Sequence, residues 1–115
     1  MQVVLVNHGT ASTSEMLASA LHANGATLIG ETTLGKGRTQ RVFDLPGGFL
    51  LFVSVLGYTG ASGETIDSLG LEPDIPCSPQ RVERVRYLGG DLEDSSDLLD
   101  DPCIEMAFEH LAAQP

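Results

Sequence analysis

Residues 3–6 are Val-Val-Leu-Val, four apolar positions without a polar break, and predict a fully buried strand over residues 2–6. From Ser12 the period changes. Leu17 and Leu21 are four apart, as are Met16 and Ala20, so "STSEMLASALHA" predicts a helix over residues 12–23 with one apolar face. Asn24-Gly25 supplies its stop. "ATLIG", residues 26–30, is a second short apolar run. Strand, helix and strand in this order make a βαβ unit, with parallel strands and a right-handed crossover. Two extended runs around Leu45-Pro46-Gly47-Gly48 then predict a β-hairpin over residues 38–58. Residues 59–79 are rich in Gly, Ser and Pro and read as an ordered loop. "RVERVRYL", residues 81–88, predicts a short strand. Asp101-Pro102 opens a last helix, with Ile104, Ala107, Phe108 and Leu111 on one face. No internal repeat is visible.

Composition adds bounds to this α/β pattern. A chain of 115 residues, 42% apolar, makes one domain with a modest core. Its longest apolar run falls far short of a membrane span. No signal peptide opens the chain; it starts on a core strand, so either the sheet begins there or something upstream has been cut away. The net charge of −10 is uneven. Residues 1–62 hold Lys36, Arg38 and Arg41 against Glu15, Glu31 and Asp44, whereas the remainder holds three arginines against thirteen carboxylates. That balance excludes binding to nucleic acid or anionic lipid through net charge. The run from Asp91 to Asp101 reads as a solvated linker. The expected organisation is a partial catalytic core over residues 1–80 and an acidic C-terminal extension, 81–115, ending in a helix. Cys77 and Cys103 lack the spacing of a zinc site, and free thiols are the favoured reading, with a disulfide left open. His8, His22 and His110 are scattered. No metal or cofactor is expected.

Gly30 to Lys36 fits the spacing G-x-x-x-x-G-K of a phosphate loop, and "ATLIG" supplies the preceding strand. Gly37 stands where Ser or Thr must ligand magnesium, and a strand follows where a helix must open. A lysine between a strand and a hairpin serves another purpose.

The sharper stretch is "NHGTASTSEM", residues 7–16, at the carboxyl end of the first strand, where open α/β sheets bind ligands. Ser12, Thr13 and Ser14 stand at the helix start, where free N–H groups suit a developing oxyanion. Ser12-x-x-Glu15 is also the spacing of a capping box, and by spacing alone capping is favoured over nucleophile. Lys36 alone reads as an exposed turn lysine and Gln40 as a solvent-facing strand residue. Together they mean more. In a βαβ unit both turns share one sheet edge, so Ser12 and Lys36 can approach. A serine needs a base, no His–Asp pair is at hand, and lysine can serve only as the neutral amine, which requires desolvation. Gly35 and Gly37 permit close packing around it. Gln40 could orient the amine without favouring its charged form.

These segments resemble the C-terminal processing (tail-specific) proteases, serine endopeptidases with a Ser–Lys dyad. "VVLVNHGTASTSEMLASAL" is similar to their V-L-V-N-x-x-S-A-S-A-S-E signature, and "GETTLGKGRTQ" to G-E-x-T-F-G-K-G-x-x-Q. "LGYTGASGETI" resembles Y-Y-T-P-S-G-x-x-I, "GLEPDI" resembles G-I-x-P-D, and "DDPCIEMAFEHL" resembles their last helix. The resemblance implies Ser12 as nucleophile, Lys36 as base, Gln40 as its support and the Thr13 amide as one oxyanion donor. It implies an α/β, crotonase/ClpP-like βαβ core with a β-hairpin and a C-terminal helix. It further implies protein or peptide substrates cut near their C-terminal tails, in a bacterial cell envelope or periplasm or a plastid lumen. Thr10, Thr13, Leu34 and Gly60-Ala61 depart from the pattern, and Thr13 crowds the oxyanion position with a branched side chain. The resemblance covers the C-terminal part of the catalytic core, without the family's N-terminal helices, PDZ domain and Gly-rich oxyanion segment. A truncated core of this kind is expected to have little activity alone. The alternative is a non-catalytic ligand- or peptide-binding module of the same fold, as in retinoid-binding relatives that lack the Gly-Lys-Gly and Gln pattern. A homodimer through an exposed sheet edge is a further expectation.

Overall fold

The computed structural model describes residues 2–78 and 101–113. The strand predicted at 81–88 and the acidic run up to Asp100 lie outside the described residues. Strand β1 (Val3–Val6), helix α1 (Thr13–Ala23) and strand β2 (Thr27–Gly30) form the βαβ unit. β1 and β2 pair in parallel from Val3↔Thr27 to Val6↔Gly30. Arg38–Leu45 and Phe49–Gly57 are β3 and β4, an antiparallel ribbon separate from this sheet. Gly47 and Gly48 turn the ribbon at φ 88° and 79°, a conformation that glycine adopts without strain. The loop after β4 ends in a strand that the sequence pattern did not show, β5 (Ile75–Pro76), which pairs in parallel with Ile29 and Gly30. Two residues are too few for alternation to register. The sheet order is β1-β2-β5, with β2 central. Helix α2 (Pro102–Ala112) is capped as its sequence predicts, the Asp101 carboxylate accepting the Cys103 N–H at 2.8 Å.

The core is small: Val6, Ala18, Leu28, Ile66 and Leu71, with Val4 and Tyr58 packed against them. Ile66 and Leu71 come from the Gly- and Ser-rich loop, which is therefore a packed wall of the molecule.

Three expectations are corrected. Among the described residues β1 is an edge strand; Val6 is buried but Leu5 is exposed, because none of them covers its outer side. Helix α1 buries Glu15, Ala18 and Ser19, whereas Met16 and Leu17 face out, Leu17 at 60% exposure. The polar face wins because it is fully bonded. Ser19 Oγ donates to Glu64 and accepts the Ala61 N–H at 2.7 Å, and Glu15 is more heavily engaged still. Turning Met16 and Leu17 inward would strip those partners from buried polar groups. The cysteines, favoured as free thiols, are paired. Cys77, directly after β5, and Cys103, in the first turn of α2, form a disulfide with a Cα–Cα distance of 5.7 Å. The fold brings the end of the sheet and the start of the helix together, a proximity that a separation of 26 residues does not reveal.

Candidate active site

Ser12 stands between β1 and α1 with φ 57° and ψ −121°, a left-handed conformation that L side chains rarely adopt. A sharp, strained turn from strand to helix is how many hydrolases expose a nucleophilic hydroxyl. The turn is held by backbone bonds: Ser14 N–H to the Ala11 carbonyl at 3.1 Å and Glu15 N–H to the Ser12 carbonyl at 3.0 Å. The capping spacing is real: Ser12 N–H donates to Glu15 Oε2 at 2.8 Å, the glutamate half of a capping box. The Thr13 N–H, at the first position of the helix, has no hydrogen-bond partner among the described residues. Thr13 itself is exposed.

The lysine arrives on the segment after β2. Leu34 N–H bonds the Thr10 carbonyl at 2.9 Å, which lays this segment against the Ser12 turn. Gly35 N–H donates to Glu15 Oε1 at 2.7 Å and Lys36 N–H to Glu15 Oε2 at 2.9 Å. Ser12 N–H and Lys36 N–H thus share one carboxylate oxygen, so the two backbones run close together. Thr33 Oγ1 donates to Glu15 Oε1 at 2.5 Å and accepts the Leu71 N–H at 2.7 Å. Glu15 is completely buried. Burial pushes its carboxyl up, but the bonds from Thr33, Gly35, Ser12 and Lys36 outweigh it and hold the carboxyl below the ordinary glutamate value.

The glycines beside Lys36 are needed for close approach. A Cβ on Gly35, whose φ is 80°, would stand 2.8 Å from Gly70 N, and one on Gly37 would stand 2.5 Å from Asp67 N. The loop wall grips the other side. Tyr58 donates its hydroxyl to the Lys36 carbonyl and its N–H to the Gly37 carbonyl at 3.0 Å, and Arg38 Nε meets Asp67 Oδ2 at 2.7 Å. An open cleft lined by Gly37, Arg38, Val55, Leu56, Tyr58 and Asp67 adjoins this segment, with neither Ser12 nor Lys36 in its lining.

Ser12, Thr13 and Lys36 therefore lie at one sheet edge, on two turns tied by a single carboxylate. The Lys36 side chain is exposed, contrary to the desolvation expected of a neutral base. The reason is local: the ribbon that follows is exposed along both strands, and no described residue closes over the amine. Gln40 is also exposed, on β3 beside a bulge between Thr39 and Gln40, opposite Ser54. Sequence reasoning missed the roles of Thr33 and Tyr58 and treated Glu15 as a cap alone. The S-x-x-E spacing was the available signal for Glu15, and it pointed to the helix rather than to the lysine segment.

Residues 2–77 match Peptidase family S41. The chain belongs to that family. It is 41% identical over 115 residues to carboxyl-terminal-processing peptidase 3, chloroplastic, of Arabidopsis thaliana, covering 97% of this chain and 22% of that protein. It is 39% identical over 90 residues to a carboxy-terminal processing protease of Bacillus subtilis, covering 77% and 19%. Among solved structures, a photosystem II D1 C-terminal processing protease aligns with a TM-score of 0.59 at 44% identity, covering 66% of this chain and 20% of that one. A putative S41 protease from Bacteroides fragilis aligns over 96% of this chain and 27% of its own, with a TM-score of 0.65 at 19% identity, a likeness of fold. The S41 chain described here thus spans about a fifth of the length of the curated relatives it matches. Its α/β architecture, a βαβ core with a hairpin and a C-terminal helix, is the one expected from sequence.

Proposed function

We propose that this chain carries the nucleophile and base of a serine endopeptidase that cuts proteins near their C-terminal tails. Ser12 Oγ attacks the peptide carbonyl, and Lys36, as the free amine, takes its proton and returns it to the leaving amine. The Thr13 N–H donates to the oxyanion, and Gln40 orients the lysine. The observation that carries this reading is the shared Glu15 carboxylate, which ties the strained Ser12 turn to the Lys36 segment. The relatives' names supply the substrate class.

Lys36 needs cover to lose its proton, and the described residues leave it exposed. The 115 residues alone are therefore expected to turn over peptides slowly. A fluorophosphonate probe and a peptide-hydrolysis assay test the reading, with Ser12→Ala and Lys36→Ala as comparisons. Both variants should abolish probe labelling. Labelling that survives Lys36→Ala unchanged would remove the dyad. Robust serine-dependent turnover by the isolated 115 residues would refute the low-activity claim.

The exposure of Lys36 favours one second reading, a non-catalytic module that binds an apolar ligand or peptide along the ribbon. Tight binding of a fluorescent apolar ligand, with no reaction at Ser12, would establish it. Self-association through the sheet edge that β1 forms among the described residues is the accompanying proposal for partners.

A further inference from the structure

A helix cap asks little of Glu15. Reaching back to the Ser12 N–H, at 2.8 Å, completes that half of the capping box. The other three donors, Thr33 Oγ1, Gly35 N–H and Lys36 N–H, come from a segment 18 to 21 residues away and have no part in capping α1. We propose that Glu15 is the positioning residue of this site: its carboxylate holds the turn that carries Ser12 and the segment that carries Lys36 in one fixed relation. The catalytic meaning rests on the Ser–Lys reading above; the geometry does not.

Three features support the assignment. An ionised carboxylate offers about four acceptor positions. Here two donors fall on each oxygen, Thr33 and Gly35 on Oε1 and Ser12 and Lys36 on Oε2, so all four are occupied. A saturated carboxylate has no lone pair left for a further donor, so it serves as a fixed tie among these four groups. The bond to the Ser12 N–H also falls on the residue with the unfavourable backbone, so Glu15 helps maintain the conformation that presents the hydroxyl. Finally, the unit is braced from behind. Thr33 passes the Leu71 N–H into the same carboxylate through its own hydroxyl, which fixes the lysine segment to the core wall.

Glu15→Gln is the sharpest test, because it keeps size and shape. The amide retains one acceptor oxygen and turns an NH2 toward two donors, so half of the bonds must break. Two readouts are taken on wild type, Glu15→Gln, Thr33→Val and Ser12→Ala. One is the amide proton shifts of Ser12, Gly35 and Lys36 by NMR. The other is the saturation kinetics of fluorophosphonate labelling, corrected for folded fraction. In Glu15→Gln the three amides should move upfield together while those of β3, β4 and α2 stay in place. The maximal labelling rate should fall by roughly a hundredfold, as for a misplaced reacting group, with the probe's half-saturation concentration unchanged. A merely structural glutamate would lower the folded fraction and leave the rate per folded molecule intact.

Thr33→Val removes one donor without touching Ser12 or Lys36 and should shift the Gly35 and Lys36 amides with a smaller loss of rate. It carries the test if Glu15→Gln does not fold. Unmoved amides, or wild-type labelling rates in the folded variants, overturn the proposal. Wild-type protein that is never labelled, but whose three amides respond together to Glu15→Gln, overturns the dyad reading and supports the linkage through Glu15. Ser12→Ala should leave the Gly35 and Lys36 amides in place.

Discussion

Ser12 sits in a strained backbone conformation. Its φ of 57° is one that glycine adopts freely and serine does not. Ser12→Gly should therefore raise stability by about 1 kcal/mol over Ser12→Ala, which keeps the strained Cβ. Both should abolish reaction at the site. Urea denaturation of the pair measures the difference, and equal midpoints would show that the turn is unstrained. Glu15 gives the residue scale a pH dependence. Burial raises its carboxyl, the four hydrogen bonds lower it further, and the net is a folded value below the unfolded one. The stability it contributes is present above the ordinary glutamate range and is lost as pH falls through the lowered folded value. Glu64, lowered by the Ser19 hydroxyl first, contributes with the same sign. Acid should thus weaken the wild type steeply below the glutamate range, and Glu15→Gln should flatten that limb. A variant with an unchanged slope would place the acid sensitivity elsewhere.

At the level of elements, the two helices are held by unlike means. α1 is fixed by polar bonds to Glu15 and Ser19 on its buried face, with Met16 and Leu17 outward. α2 buries Cys103 and Ala107 but leaves Phe108 and Leu111 exposed, so the disulfide to Cys77 carries much of its attachment. Cys103→Ser should cost about 3 kcal/mol, the scale expected for closing a loop of this length. Hydrogen exchange should show the loss concentrated in residues 102–112, with β1, α1 and β2 still protected. Protection of α2 that survives reduction would mean that its apolar contacts suffice. The hairpin turn, the helix caps and the βαβ order were legible in sequence because each is signalled within a few residues. The buried face of α1 was not. Apolar periodicity reported Leu17 and Leu21, whereas the choice of face was made by Glu64, Ala61 and the lysine segment, which lie far along the chain.

On the scale of the whole molecule, the ribbon dominates. β3 and β4 are exposed on both faces, and Val42, Phe43, Phe49, Leu50, Phe52 and Leu56 are among the large apolar side chains they present. A two-stranded ribbon is marginal without a packed face, and exposed apolar surface of this kind marks an interaction site. The isolated chain should self-associate as concentration rises, through this ribbon or the edge that β1 forms among the described residues. Each copy carries a net charge of −10, so added salt should strengthen the association by screening repulsion. Sedimentation velocity at several salt concentrations checks this. A monomer at every concentration and ionic strength would defeat the expectation; Phe52→Lys with Leu50→Lys should weaken an association that runs through the ribbon and leave unchanged one that runs through the edge of β1.

The sequence by itself determined the local features: where strands and helices start and stop, the two-glycine turn, and the Ser12 and Lys36 motifs that mark an S41 chain. Each is encoded in neighbours, through φ preferences, apolar period and capping chemistry. Only the tertiary structure decided what those elements do to one another. It turned a capping glutamate into a four-donor acceptor joining residues 12, 33, 35 and 36, paired the two cysteines, added β5 to the sheet and left Lys36 uncovered. Hydrogen bonds and disulfides between distant segments leave no periodic trace in a chain, and exposure depends on what else folds over a residue. A single sequence therefore offers candidate groups well before it can say how they are held.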